Sequence, residues 1–494
     1  MTSSGLYRAE QVREFDRRAI ELHGIRGYAL MTRAAAAALQ ALRTRWPQAR
    51  RLRVLCGAGN NAGDGYVLAR LARQAGLDVA VGWLCDPATL RGDARTAADD
   101  AAAAQVPIGP FAPPLLGEAE VIVDALLGTG LTRPLAGEWA AAVAAANAAA
   151  VPVLSLDVPS GLQADTGAIL GEAIRAALTV TFIAPKLGLF TGTGPDCAGE
   201  VRLADLDVPA AVFDGTEPAA MRVTAADLPA WLPGPRARSA HKGAFGHVLV
   251  VGGQPGMSGA ARLAAEAAAR VGAGLVSVAT HPAHAALLNI GRPELMCRGV
   301  QTPADLEPLL ARAGVMAIGP GLGQDDWARG LLAAALGAGL PCVLDADALN
   351  LLAAAPGRRD DWILTPHPGE AARLLGCTAA AVQADRPAAV RALQARCGGV
   401  VVLKGAGTLV HDGRRTWVVS AGNPGMASGG MGDVLTGVIA GLLAQGLAPA
   451  EAAVAGTLVH GLAGDTAAAT GERGLLAGDL FDALRQWVNP RVLP

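Results

Sequence analysis

The feature that most constrains this chain is a set of short apolar runs, each stopping at a turn built on Gly, Asp, His or Lys. In the first half they occupy 51–56, 78–84, 120–126, 151–156 and 179–183; in the second, 247–251, 275–279, 315–318, 341–344, 362–364 and 400–403. Helical stretches such as 66–76 and 260–271 alternate with them, and 6–42 also reads as helical. Continuously apolar strands alternating with helices predict parallel, doubly wound α/β sheets. Ligands of such sheets sit at the carboxyl ends of the strands. The series breaks at 208–235, where several prolines read as a linker, and restarts after Gly246. The 494 residues suit two or three domains at ~100–200 residues each, and the pattern divides them into 1–215 and 223–494.

The second half carries the more specific chemistry. Residues 423–442 read NPGMASGGMGDVLTGVIAGL, a small-residue loop running into an apolar helix that is expected to begin at Asp433. The N–H groups and the positive dipole end of that helix would face Gly429–Gly432 and make an anion site suited to phosphate. A carboxylate repels phosphate, so Asp433 is either a helix cap or a base that takes a proton from a hydroxyl. Lys404, at the end of a buried run and followed by Gly405 and Gly407, would bring a point charge to the phosphate. Together these groups predict phosphoryl transfer from a nucleotide to a hydroxyl. No GxxxxGK[ST] occurs, so this is not a P-loop enzyme. His367, between two prolines at a strand tip, reads equally well as a structural His and as a ligand contact.

In the first half, GAGNNAGDG at 57–65 follows a strand but is not the GxGxxG dinucleotide fingerprint, because Asn60, Asn61 and Asp64 intrude. Those polar residues point to recognition of hydroxyls, amides or a cation as well as phosphate. Two successive strands end in Asp124 and Asp157. Either alone is often a helix cap, but with Asn61 and Ser160 they form an oxygen-rich cluster of the kind hard cations prefer. Lys186, just past a later strand, is either a solvated side chain or a group that meets phosphate or moves a proton.

A net charge of -2 gives no reason to expect nucleic acid or an anionic membrane as partner. The uncharged stretches 140–156 and 434–450 fall short of the ~20 apolar residues of a membrane span, and the first residues are too charged for a signal peptide. Seven scattered cysteines without a C-x-x-C pair suit reduced thiols in a cytoplasmic protein.

The motifs GAGNNAGDGYVLAR, DALLGTGL, LDVPSGLQADTG and APKLGL, within 6–208, resemble the NAD(P)H-hydrate epimerase family. The resemblance implies a Rossmann-like three-layer sandwich that interconverts the R and S forms of hydrated NADH or NADPH at C6 of the nicotinamide ring. It implies K+ on Asn61, Asp124 and Ser160. Substrate contacts would come from Asn60, Asn61, Ala62, Gly63 and Asp64, from Gly128, Thr129, Gly130, Leu131, Thr132, Arg133 and Pro134, and from Asp157. Asp157 is the first choice for the epimerisation base and Lys186 the second. The segment LMTRAA departs from the family at Thr32, where Glu is usual. HKGAFGHVLVVGGQPGMSGAARLAAEAA, IGPGLG, VLDADALN, LTPHPGE, LKGAGT and NPGMASGGMGDVLTG, within 223–492, resemble the ribokinase-like ADP/ATP-dependent NAD(P)H-hydrate dehydratases. Those phosphorylate the hydroxyl of the S hydrate, and loss of phosphate restores NAD(P)H. The likeness implies ADP as phosphoryl donor and Mg2+. It implies hydrate contacts at Ala260, Gly321, His367 and Asp433, and nucleotide contacts at Lys404, Gly405, Ala406, Gly407, Thr408 and Gly432. Asp433 is the general base, and Met431 stands where many relatives have Thr. A bifunctional repair enzyme, homo-oligomeric, is the resulting expectation. The alternative is a vitamin-precursor kinase carrying a non-catalytic Rossmann-like module.

Overall fold

The computed structural model describes residues 5–489. Chain contacts divide it into two units, the first ending at Ala220 and the second beginning at Met221. The residues 1–4 and 490–494 that the sequence-based limits take in lie outside the described residues.

The first unit is a parallel sheet in the order Ile108–Pro110, Asp78–Trp83, Arg51–Cys56, Val121–Ala125, Val153–Leu156, Leu178–Phe182 and Glu200–Ala204. The order reverses between Arg51–Cys56 and Val121–Ala125, which opens a crevice at their carboxyl ends. One face is covered by the helices Ala9–Glu21, Gly27–Arg45, Asn60–Gln74 and Gly92–Ala103, the other by Gly137–Ala148.

Three sequence expectations are corrected here. The stretch 6–42 is two helices broken near Gly24, which has φ +66°. The Gly-rich segment is largely the start of a helix, since Asn60–Gln74 begins six residues before the expected 66. Tight packing explains this: a Cβ at Gly63 would lie 2.5 Å from the Met31 terminal methyl, and one at Gly65 2.5 Å from the Ala125 side chain. The burial gained there outweighs the weak helix propensity of glycine. The expected linker contains the strand Ala220–Val223, which pairs in parallel with Thr416–Val419. Thr32 bonds back to the Tyr28 carbonyl within its own helix, at 2.7 Å.

The second unit's sheet runs Ala220–Val223, Thr416–Val419, Thr408–His411, Val400–Leu403, Trp362–Leu364, Cys342–Leu344, Val315–Ile318, His247–Val251, Leu275–Thr280 and Met296–Gly299. The strands from Val400–Leu403 to Met296–Gly299 are parallel. Two antiparallel pairings follow on the other side of Val400–Leu403. The strand order reverses at His247–Val251. The apolar core lies largely between the sheet and the helices Ser258–Arg270, Met431–Ala444 and Pro449–Ala467. Among the described residues no helix is long and apolar enough to cross a membrane.

Candidate active sites

In the first unit the turns after four neighbouring strands converge at the point of reversal. Asp124 is fully buried and accepts hydrogen bonds from Leu126 N (3.2 Å), Ser155 Oγ (2.8 Å), Ser160 N (2.9 Å) and Ser160 Oγ (2.6 Å). Burial raises its pKa, and these donors oppose the rise. Asn61 is buried nearby, and neither its amide oxygen nor its amide nitrogen has a partner in the described structure. A buried amide left unpaired costs about 1–3 kcal/mol, so a ligand is the natural complement. Asn61, Asp124 and Ser160 are all oxygen donors, and this set suits a hard cation such as K+.

Asp157 and Lys186 form an ion pair, with the Lys186 side chain only 1% exposed. Lys186 Nζ also donates to Phe182 O at 2.8 Å and Thr181 Oγ1 at 3.2 Å, and Phe182 N donates to Asp157 Oδ1 at 3.2 Å. Asp157 (φ +68°) and Ile183 (φ +64°) hold left-handed backbone, which for β-branched Ile183 is rare. Strain of this kind, of order 1–3 kcal/mol per residue, persists where surrounding structure imposes it, and it gathers at functional sites.

A cavity of about 180 Å³ opens on this pair. Asn60, Asp64, Thr129, Asp157 and Lys186 line it, so five of the expected site residues meet there. Asp64 is part-buried, and desolvation with the charges of Asp157 and Asp16 pushes its pKa well up, Lys186 opposing. Ala62, Gly63 and Leu131 are packed inward, so any contact they make with a ligand is through the backbone. Gly128 lies beside Asn61 and Asp157, while Gly130, Thr132, Arg133 and Pro134 are exposed at the loop's outer edge.

In the second unit the helix of the Gly-rich motif is Met431–Ala444, with Gly430 as N-cap. The expected start at Asp433 is therefore two residues late. Asp433 is not the cap but lies in the first turn, where the free N–H groups are. Lys404 Nζ bonds Asp345 Oδ1 at 2.7 Å and lies 3.9 Å from Glu370 Oε2. Burial disfavours its charge, but Asp345, Glu370 and Asp433 outweigh that and raise its pKa. A Cβ at Gly432 would lie 3.2 Å from this ammonium, so glycine there lets the loop approach Lys404 closely. Asp433 is pushed up to about 7 by burial and by the charges of Asp345, Asp347 and Glu370, against the pull of Lys404.

The remaining predicted residues fall into two groups. The loop 404–408 carries the nucleotide candidates and is held from behind by the buried Arg386, which donates to Leu403 O (3.1 Å) and Lys404 O (3.2 Å). Ala260 and Gly321 meet at the sheet's point of reversal: a Cβ at Gly321 would lie 3.2 Å from that of Ala260. His367 caps the helix Pro368–Leu375, its Nδ1 accepting from Gly369 N at 2.9 Å, while its side chain stays half exposed. Its other ring nitrogen, Nε2, lies 3.3 Å from Glu370 Oε1. Sequence reasoning missed Asp345, which takes Lys404, Thr365 Oγ1 (2.9 Å) and Thr436 Oγ1 (2.9 Å) together. It also missed Arg386. The strand-end position of Asp345 was a usable signal, whereas nothing local marks Arg386.

Two family models match the chain: "YjeF-related protein N-terminus" over residues 27–188 and "NAD(P)H-hydrate dehydratase" over 248–486. The chain is 53% identical over 491 residues to the bifunctional NAD(P)H-hydrate repair enzyme Nnr of Coxiella burnetii, covering 98% of this chain and 99% of that protein. It is 44% identical over 493 residues to the enzyme of the same name from Escherichia coli K12, covering 98% and 94%. A solved ribokinase-like superfamily protein from Enterococcus faecalis V583 matches with 30% identity and a TM-score of 0.51, over 55% of this chain and 96% of that one.

Proposed function

The chain belongs to the family of bifunctional NAD(P)H-hydrate repair enzymes, and from that premise we propose which of its residues carry each half of the repair. The N-terminal unit is the epimerase of hydrated NAD(P)H and the C-terminal unit its dehydratase. Full-length relatives that unite both activities set aside a vitamin-precursor kinase with an idle N-terminal module.

In the dehydratase, the N–H groups of Gly429–Gly432 and the first helical turn receive the phosphate end of ADP, and Lys404 balances its charge. Asp433 removes the proton of the C6 hydroxyl as that oxygen attacks the terminal phosphorus. The P–O bond to the nucleotide breaks, and later loss of phosphate and of a C5 proton restores the ring double bond. Glu370, whose Oε2 already accepts from His367 N, would be one carboxylate to hold Mg2+ bound with the nucleotide, and that ion would lower the charge on the phosphates. In the epimerase, Asp157 is the base at the C6 hydroxyl, and Lys186 orients it. Asn61, Asp124 and Ser160 would hold K+, which would supply positive charge beside the substrate. The single observation that carries this reading is Asp433 in the first turn of Met431–Ala444, pushed up to about 7 by its surroundings. A carboxylate poised there is matched to proton abstraction at neutral pH. The seven free cysteines suit a cytoplasmic location.

The test is a pair of variants. Asp433→Ala is expected to abolish ADP-dependent conversion of the S hydrate and leave R–S interconversion intact. Asp157→Ala is expected to do the reverse. Loss of both activities in either variant would overturn the division of labour.

A further inference from the structure

Among the acidic groups of the N-terminal cavity, Asp16 has no part in the roles above. Asp16, on the helix Ala9–Glu21, follows the fully buried Phe15 and lines the cavity together with Asp64, Asp157 and Lys186. Its neighbour Arg13 turns to Thr129 O at 3.4 Å. Asp157 and Asp16 differ in their partners. Asp157 is bonded to the Lys186 ammonium, whereas Asp16 makes no hydrogen bond among the described residues. Charged groups face Asp16 from every side: Asp157 and Lys186 from the strand-end turns, Asp93 from Gly92–Ala103, Asp64 from Asn60–Gln74. Burial, Asp157 and Asp93 hold Asp16 above the ordinary carboxylate range, with Lys186 opposing.

The chemistry of epimerisation calls for a second group. In the hydrate, C6 carries a hydroxyl and the ring nitrogen N1, which makes it a hemiaminal. Inversion that keeps every atom proceeds by ring opening. The hydroxyl proton leaves to a base, the O–H electron pair forms C6=O, and the C6–N1 pair returns to N1, which must gain a proton. Rotation about C5–C6 and closure on the other carbonyl face reverse each transfer. No water, oxidant or reductant is needed, but a base and an acid must act in one cavity. We propose that Asp16 is the acid, giving a proton to N1 as the ring opens and taking it back on closure, while Asp157 serves the oxygen. This rests on the epimerase reading of the unit.

The experiment follows pure R hydrate to the R–S mixture by chromatography, without nucleotide, for wild type, Asp16→Asn and Asp16→Glu. Asp16→Asn is expected to lower kcat about 10²–10⁴-fold, the usual worth of a positioned general acid, with KM within about threefold. Asp16→Glu is expected to recover part of the rate. The wild-type rate is expected to fall as pH rises through the Asp16 pKa, and this limb is expected to vanish in Asp16→Asn. ADP-dependent conversion of S hydrate by the same samples is expected to stay at wild-type level, a check on protein quality. Retention of kcat in Asp16→Asn, a change in KM alone, or an alkaline limb that persists in Asp16→Asn would overturn the proposal. Absence of epimerisation in wild type would instead overturn the reading on which it rests.

Discussion

Asp345→Asn separates charge from shape at the dehydratase site. Asp345 is 1% exposed and binds Lys404 at 2.7 Å, and its charge is one of the influences that push Asp433 up to about 7. As the base, Asp433 acts in its carboxylate form, so activity is present above that pKa and is lost as pH falls through it. By the definition of pKa, about a tenth of the sites remain ionised one pH unit below it and about a hundredth two units below. Wild-type kcat/KM, which reports the free enzyme, is therefore expected to fall about tenfold for each pH unit below about 7. The Asn side chain keeps a similar shape but removes a like charge, and it loosens the hold on Lys404. Both changes favour the Asp433 carboxylate, so the acid limb moves to lower pH even if the plateau drops. The assay is recovery of NADH absorbance from S hydrate with ADP between about pH 5 and pH 9, each protein scaled to its own plateau. A limb that stays in place in the variant, or a wild-type profile flat to about pH 5, would refute the electrostatic account of the base.

Three further outcomes are expected. Gly437→Ala would place a Cβ 2.0 Å from Ala264 O of the neighbouring helix; the backbone must give way, and thermal unfolding should show a loss of about 1–3 kcal/mol. Replacing K+ by a bulky organic cation, or Asn61 by Ala, should slow epimerisation several-fold and leave dehydration untouched; equal loss of both activities would contradict the proposed cation site. Arg386→Lys keeps a charge but loses the two-carbonyl grip on Leu403 and Lys404, so it should raise KM for ADP more than it lowers kcat; an unchanged KM would show the loop to be held otherwise.

What was legible in the sequence was what is local. The apolar runs mark strands such as His247–Val251 and Val315–Ile318 to the residue, because a buried parallel strand needs a continuous apolar segment whatever surrounds it. Helix onsets were misjudged at Asn60 and Met431. In both places glycine and small polar residues resemble loop, and only packing by distant elements, such as Met31 against Gly63, makes helix the better state. The stretch 208–235 resembled a linker because its prolines are visible and the strand Thr416–Val419 that recruits 220–223 is remote in sequence. Within the sites, residues on strand tips were legible because topology alone brings tips together. Asp16 and Arg386 were not, since each reaches its place from a helix face whose direction is set by tertiary packing.

The central claim is that one chain carries both halves of the repair. The most direct measurement is recovery of NADH absorbance from a mixture of R and S hydrates with ADP and Mg2+. Full recovery by the single purified protein is the expected result. Recovery that stops at the S fraction would mean the N-terminal unit does not epimerise, and no recovery would contradict the account as a whole.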